Sequence, residues 1–255
     1  MKESNFVLKI LNAAAVILTI FVNFLANYLP INGLNTGEVS ANYNNPFTPA
    51  GFTFSIWGLI YLLLIIFTVY QFTGSGKIKE KFSTGPYLIA ASAANISWIF
   101  LWHYQYIYLS MFVILLLPLF LFPIFKRVNS FNDYSRAEYI SIKLPFSIYT
   151  AWVTIASLAN FMVTLVYFKQ NWPDKFLALA AVTALLLGLY ITIRIIDKFK
   201  DTAFSLVIIW AYFGIISAQL SLNRPEQIII ITAALSILII IFKLISQKNI
   251  FPISK

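Results

Sequence analysis

Residues 52–72 read FTFSIWGLIYLLLIIFTVYQF, a run of twenty-one residues without a charged side chain. As a helix such a run extends about 30 Å, the thickness of a bilayer's hydrocarbon core. Its apolar and polar residues do not alternate, so it is no strand of an outer-membrane barrel, and a spanning helix is the reading. Similar runs lie at about 7–29, 87–105, 107–125, 144–168, 176–196, 203–222 and 227–245. The chain therefore reads as an all-α integral membrane protein of about eight transmembrane helices. The boundary between the third and fourth rests only on His103-Tyr104-Gln105-Tyr106, and fusion there would leave seven. The 255 residues are 60% hydrophobic and 11% charged, with a mean hydropathy of +0.82. A soluble domain carries about a quarter charged residues, so a soluble enzyme, a disordered chain and a cytosolic nucleic-acid binder are excluded.

The formal charge of +9 is explained by where the cations fall. With the N-terminus inside, one set of loops and ends holds Lys2, Lys9, Lys77, Lys79, Lys81, Lys126, Arg127, Arg136, Lys143, Arg194, Lys198, Lys200, Lys243, Lys248 and Lys255. The opposite set holds only Lys169, Lys175 and Arg224. Fifteen against three, of the 18 in the chain, predicts both termini cytoplasmic, in the cell (plasma) membrane, without any nucleic acid. The first run resembles a signal peptide in its Met1-Lys2-Glu3 start. It is longer than a signal core and ends in no small-residue cleavage site, so a retained helix is expected.

Chemistry is narrowed by what the helices carry. All nine acidic residues (Glu3, Glu38, Glu80, Asp133, Glu138, Asp174, Asp197, Asp201 and Glu226) fall in loops or ends. Ion-coupled transport usually places ionisable groups inside the membrane, which argues against a pump. There is no cysteine and one histidine, so no metal site and no Ser-His-Asp set is expected. His103 reads as a polar end group at the interface. What the spans do hold is amides, hydroxyls and aromatics. Asn12, Thr19, Asn23 and Asn27 keep to one side of the first helix, and Asn95, Trp98 and Trp102 share a face of the third. Phe54, Trp57 and Tyr61 do the same on the second, and Trp152, Ala156 and Asn160 on the fifth. Such residues either join helices and fill the core or line a ligand pocket. Ala180, Ala184 and Gly188 form a small-residue stripe suited to close packing, inside the molecule or in a homodimer.

The loop at about 30–51 runs Pro30-Ile-Asn-Gly-Leu-Asn-Thr-Gly-Glu-Val-Ser-Ala-Asn-Tyr-Asn-Asn-Pro-Phe-Thr-Pro49. It far exceeds the roughly 2–8 residues a connector needs. Its Ile31, Leu34, Val39, Tyr43 and Phe47 predict that it packs as a lid, stiffened by pre-proline restriction at Asn45 and Thr48.

From Pro49 to Tyr61 the sequence PAGFTFSIWGLIY resembles the start of the second helix in the tryptophan-rich sensory proteins, the TspO/MBR family to which the translocator protein belongs. Trp57 and Tyr61 keep that family's spacing. Its third-helix N-x-x-W appears as Asn95 and Trp98, followed by Phe100 and Trp102, and its fifth-helix pattern as Pro145, Phe146, Trp152 and Asn160. Two positions depart from it: Ser55-Ile56 stands where the family has Gly-Pro, and Thr164 where it has an aromatic. The resemblance covers about residues 7–168. It implies a five-helix domain over 1–170, followed by an additional three-helix membrane segment over 171–255. It further implies a pocket for a planar hydrophobic ligand, a tetrapyrrole such as protoporphyrin or a sterol-like molecule, under the first loop. No covalent cofactor is expected. Trp57, Tyr61, Asn95, Trp98, Trp102, Trp152 and Asn160 would line or shape that pocket, and Leu165-Val-Tyr167-Phe-Lys169 fits a loose sterol-contact pattern. The leading expectation is a non-enzymatic receptor, sensor or carrier. The alternative is a small secondary transporter using all eight helices, and a third reading is an enzyme modifying a bound porphyrin.

Overall fold

Each long apolar run forms a helix because nothing inside it competes for the backbone and no water is available to relieve an open N–H or C=O. In the computed structural model, residues 2–29, 31–43, 45–169 and 172–247 are described. Pro30, Asn44, Lys248 and Lys255 lie outside them, as do the side chains of Lys2 and Glu3. Among the described residues there are eight long helices: α1 (Lys2–Tyr28), α2 (Ile56–Thr73), α3 (Tyr87–His103), α4 (Ile107–Val128), α5 (Leu144–Phe168), α6 (Asp174–Phe199), α7 (Thr202–Leu220) and α8 (Gln227–Ile245). Seven of them are long and apolar enough to cross a membrane. The remaining helix, α3, has 17 residues, the lower end of what a span needs. Large side chains such as Leu18 and Phe24 on α1, Phe112 and Leu119 on α4, and Leu238 and Phe242 on α8 are exposed. Apolar surface of that extent is tolerated against lipid and not in water.

The third and fourth spans are separate helices. Gln105 takes the left-handed conformation at φ 58°. The Tyr106 amide then reaches back to the Leu101 carbonyl at 2.8 Å, and the Gln105 amide to that of Trp102 at 3.0 Å. These two bonds are the Schellman stop, which closes the last turn of α3 and lets α4 begin two residues later.

Contacts divide the described residues into two units, 2–36 with 57–150, and 37–56 with 151–247. In the first, α3 packs along both α1 and α4. Amides of α1 reach its neighbours: Asn23 donates to Asn95 Oδ1 of α3 at 2.6 Å, and Asn12 to Thr84 Oγ1, in the segment before α3, at 2.9 Å. Asn12, Thr19 and Asn23 of the polar stripe are buried, while Asn27 at its end is exposed. A buried carboxylate ties down the segment after α2. Glu138 forms a capping box with Ser135 and also accepts from the amides of Ile78 and Lys79, at 2.8 and 3.2 Å. Those amides belong to the short helix Lys77–Lys81. Lys143, read from the sequence as a loop cation, is buried, its ammonium 5.7 Å from the centre of the Tyr134 ring.

In the second unit α6, α7 and α8 pack on one another. The small-residue stripe on α6 serves this internal packing. The Tyr212 phenol of α7 lies over Gly188 and donates to the Leu185 carbonyl, and a Cβ on Gly188 would collide with it. Asp201, fully buried, caps α7 by accepting from the Phe204 amide at 2.9 Å.

Candidate functional site

The i, i+4 spacing of Trp57 with Tyr61 and of Trp98 with Trp102 puts each pair on one helix face. Within the first unit these two faces meet. Tyr61 stacks on Trp57 with ring centres 5.6 Å apart, Trp57 on Trp98 at 6.3 Å, and Trp98 on Trp102 at 5.7 Å. The interplanar angles are 17°, 30° and 24°, so the four rings form one continuous stack across α2 and α3. Tyr149, from the first turns of α5, meets Trp57 edge-on at 6.0 Å. Asn95, fully buried, lies one turn before Trp98 on α3.

Hydrogen-bonding capacity is left over beside this stack. The Tyr61 hydroxyl, the Tyr149 hydroxyl and Asn95 Nδ2 are buried without a hydrogen-bond partner. Tyr149 lies within interaction reach of both Tyr61 and Asn95, so the three make one polar cluster. Each such group costs about 1–3 kcal/mol unless a bound molecule or water completes it.

The loop before α2 is fastened to one end of the stack. Trp102 Nε1 donates to the Thr36 carbonyl at 3.2 Å. His103 Nδ1 lies 3.1 Å from the Ile31 carbonyl and Nε2 3.1 Å from Thr36 Oγ1, and Asn32 donates to the His103 carbonyl at 3.0 Å. Since a carbonyl only accepts, the ring proton sits on Nδ1, and Nε2 accepts from the threonine hydroxyl. His103 is thus fully buried as a loop anchor and is not an interfacial end group.

Within the second unit the later part of the loop rests on α7. The Ala50 amide donates to the Gly214 carbonyl at 3.0 Å, Trp210 Nε1 to the Thr53 carbonyl at 3.0 Å, and Gln219 to the Pro46 carbonyl at 2.9 Å. Gly214 is glycine because Thr53 occupies the space a Cβ would need. Val39 and Phe47 are fully buried, so the loop packs as its apolar content predicts. Tyr43 meets Tyr167 edge-on at 6.1 Å, and partial burial, helped by that neighbouring phenol, pushes the Tyr43 hydroxyl above its usual range. Lys169 lies over the Trp172 ring.

Of the residues the sequence singles out, Trp57, Tyr61, Asn95, Trp98 and Trp102 come together in the first unit. Trp152 and Asn160, both buried, belong to the second, where Trp152 meets Phe54 edge-on at 6.1 Å. Sequence reasoning missed Tyr149, Thr36 and the anchoring role of His103. Tyr149 precedes Trp152 by three residues, a helical spacing that could have flagged it.

The family model described as TSPO-like protein matches residues 9–245. The chain belongs to the TSPO-like protein family. The match takes in α6, α7 and α8 as well as the five helices on which the resemblance in the sequence rests. Comparison with curated proteins and with solved structures finds no match.

Proposed function

We propose that this TSPO-like membrane protein is a receptor or sensor for a planar hydrophobic ligand of the tetrapyrrole or sterol-like class. It would lie in the plasma membrane with both termini cytoplasmic. The observation that carries the reading is the four-ring stack of Tyr61, Trp57, Trp98 and Trp102 beside three unpartnered polar atoms. Flat indole and phenol faces suit a planar apolar molecule, and the polar atoms of Tyr61, Tyr149 and Asn95 suit its hydrogen-bonding edge. The loop fastened through Trp102 and His103 would act as the lid over that end of the stack.

The test is a protoporphyrin titration of the detergent-solubilised protein, followed by tryptophan fluorescence. Saturable quenching is expected, with weaker binding in Trp57→Ala and Trp98→Ala. Trp152→Ala probes in the same way the fifth-helix position that the family resemblance implies. Unchanged affinity in both Trp57→Ala and Trp98→Ala would overturn the assignment.

The transporter reading has less support among the described residues. The buried carboxylates, Glu138 and Asp201, are both engaged in capping backbone amides. A proteoliposome assay separates the readings: flux that follows a gradient indicates transport, equilibrium binding alone a receptor.

A further inference from the structure

At the other end of the first unit lies a cavity of about 270 Å³ that has nothing to do with the aromatic stack. It is lined by Lys9 of α1, by Gln71 near the end of α2, and by Lys79, Glu80 and Lys81 of the short helix between α2 and α3. Phe67 and Phe82 give it apolar walls. The lining holds three lysines against Glu80, with the Glu138 carboxylate beside it on the Ile78 and Lys79 amides, so cations remain in excess. The lysines are held there by the fold, since Glu138 grips the backbone of Ile78 and Lys79.

A basic cluster alone would be a solvated surface. Here it comes with two buried amides. Gln71 is 7% exposed and its Nε2 has no partner; Asn12 is 3% exposed and its Oδ1 has none. Both residues line the cavity. A second hollow of about 180 Å³ adjoins it at Ser83 and Thr84, and adds Lys126 and Arg127. Lys9 lies near the start of α1, Gln71 near the end of α2, and Lys126 and Arg127 in the last turn of α4.

From this we infer that the cavity is a binding site for a phosphate group bearing hydroxyls, as in the head group of an anionic phospholipid. The lysines and Gln71 donate to the phosphate oxygens, and Asn12 Oδ1 and Glu80 accept from the hydroxyls. The apolar walls receive the first carbons of the acyl chains. Basic pockets at the cytoplasmic ends of membrane helices take anionic head groups by this chemistry. The volume falls just under the usual range for small-molecule pockets, about 300–1,000 Å³, and suits a head group better than a macrocycle.

The test uses the full chain in neutral detergent, with thermal stabilisation and native mass spectrometry as readouts. The probes are phosphatidylglycerol, phosphatidylcholine, sn-glycerol 3-phosphate and inorganic phosphate. Phosphatidylglycerol should bind, and phosphatidylcholine should not. Lys79→Gln and Lys81→Gln should each weaken binding about fivefold, the effect of one lysine near a membrane surface. Gln71→Glu, which puts a carboxylate into the cavity, should abolish it. Lys175→Gln removes the same charge from the opposite set of loops and should leave affinity unchanged. A cooperative melt certifies that each variant is folded. If glycerol phosphate or phosphate binds as tightly as the lipid, the phosphate site stands and its ligand is soluble. Binding that survives Gln71→Glu, or falls equally in Lys175→Gln, overturns the site.

Discussion

Tyr212 in the second unit and Tyr61 and Tyr149 in the first are all membrane-helix tyrosines with buried hydroxyls, and they are treated differently. Tyr212 donates to the Leu185 carbonyl across a glycine kept clear for it. The Tyr61 and Tyr149 hydroxyls make no well-formed hydrogen bond and face only each other and Asn95. Among the indoles, Trp210 donates to the Thr53 carbonyl, locking loop to helix, and Trp57 and Trp98 stack with ring centres 6.3 Å apart. Tyr212 and Trp210 close backbone contacts in the second unit, as Trp102 does for Thr36 in the first. Around Tyr61 and Tyr149 the first unit instead gathers ring faces and spare hydrogen-bonding atoms in one place, at a cost of a few kcal/mol by the usual penalty for an orphaned group. It is on this second arrangement that the proposed binding function rests.

The largest effect is expected where the closed region is tightest. Gly188→Val would drive the Tyr212 phenol off the Leu185 carbonyl, combining overpacking with a lost hydrogen bond. A loss of about 3 kcal/mol is expected, or roughly 5–10 °C in Tm, read by circular dichroism in detergent. Adding Tyr212→Phe should recover part of it. A wild-type melt for Gly188→Val would show that the two helices are not so closely fitted.

Next comes the amide bridge of the first unit. Asn23→Leu or Asn95→Leu should each cost about 1–2 kcal/mol, because a buried amide loses its partner in apolar surroundings. The double variant should cost less than the sum. Full additivity would mean that the two amides act separately and that the bridge does not hold α1 to α3.

These contrasts mark how far the sequence could be read. Helix number followed from run length and the absence of alternation. The aromatic pairs followed from i, i+4 spacing, since both are properties of one helix. Tertiary choices were illegible. Glu138 looked like a loop charge because its partners, the Ile78 and Lys79 amides, lie about sixty residues away. His103 looked interfacial because nothing local shows that the chain from Ile31 to Thr36 folds back over it. The split between α3 and α4 hung on whether Gln105 would accept a left-handed backbone, which glutamine seldom does. The loop was readable as packed, from Val39 and Phe47, but its seat on α7 depends on a glycine that also fits an ordinary helix interior.

The smallest effect on stability is the one that decides what the contrast means. Tyr212→Phe removes a satisfied hydroxyl and leaves the Leu185 carbonyl without its donor, so it should lower stability by about 1 kcal/mol. Tyr61→Phe and Tyr149→Phe remove hydroxyls without a well-formed hydrogen bond, that of Tyr149 lying within reach of Asn95, so they should lower the melting midpoint less than Tyr212→Phe does. If those hydroxyls serve a ligand, the same two variants should weaken protoporphyrin binding while Tyr212→Phe leaves it intact. Should all three lower stability alike, the phenols of the first unit would be structural, and the case for a pocket would fall back on the ring stack. Should Tyr61→Phe and Tyr149→Phe preserve stability and weaken binding, the missing hydrogen bonds would be the function, because the protein would be spending folding free energy on groups that only a ligand completes.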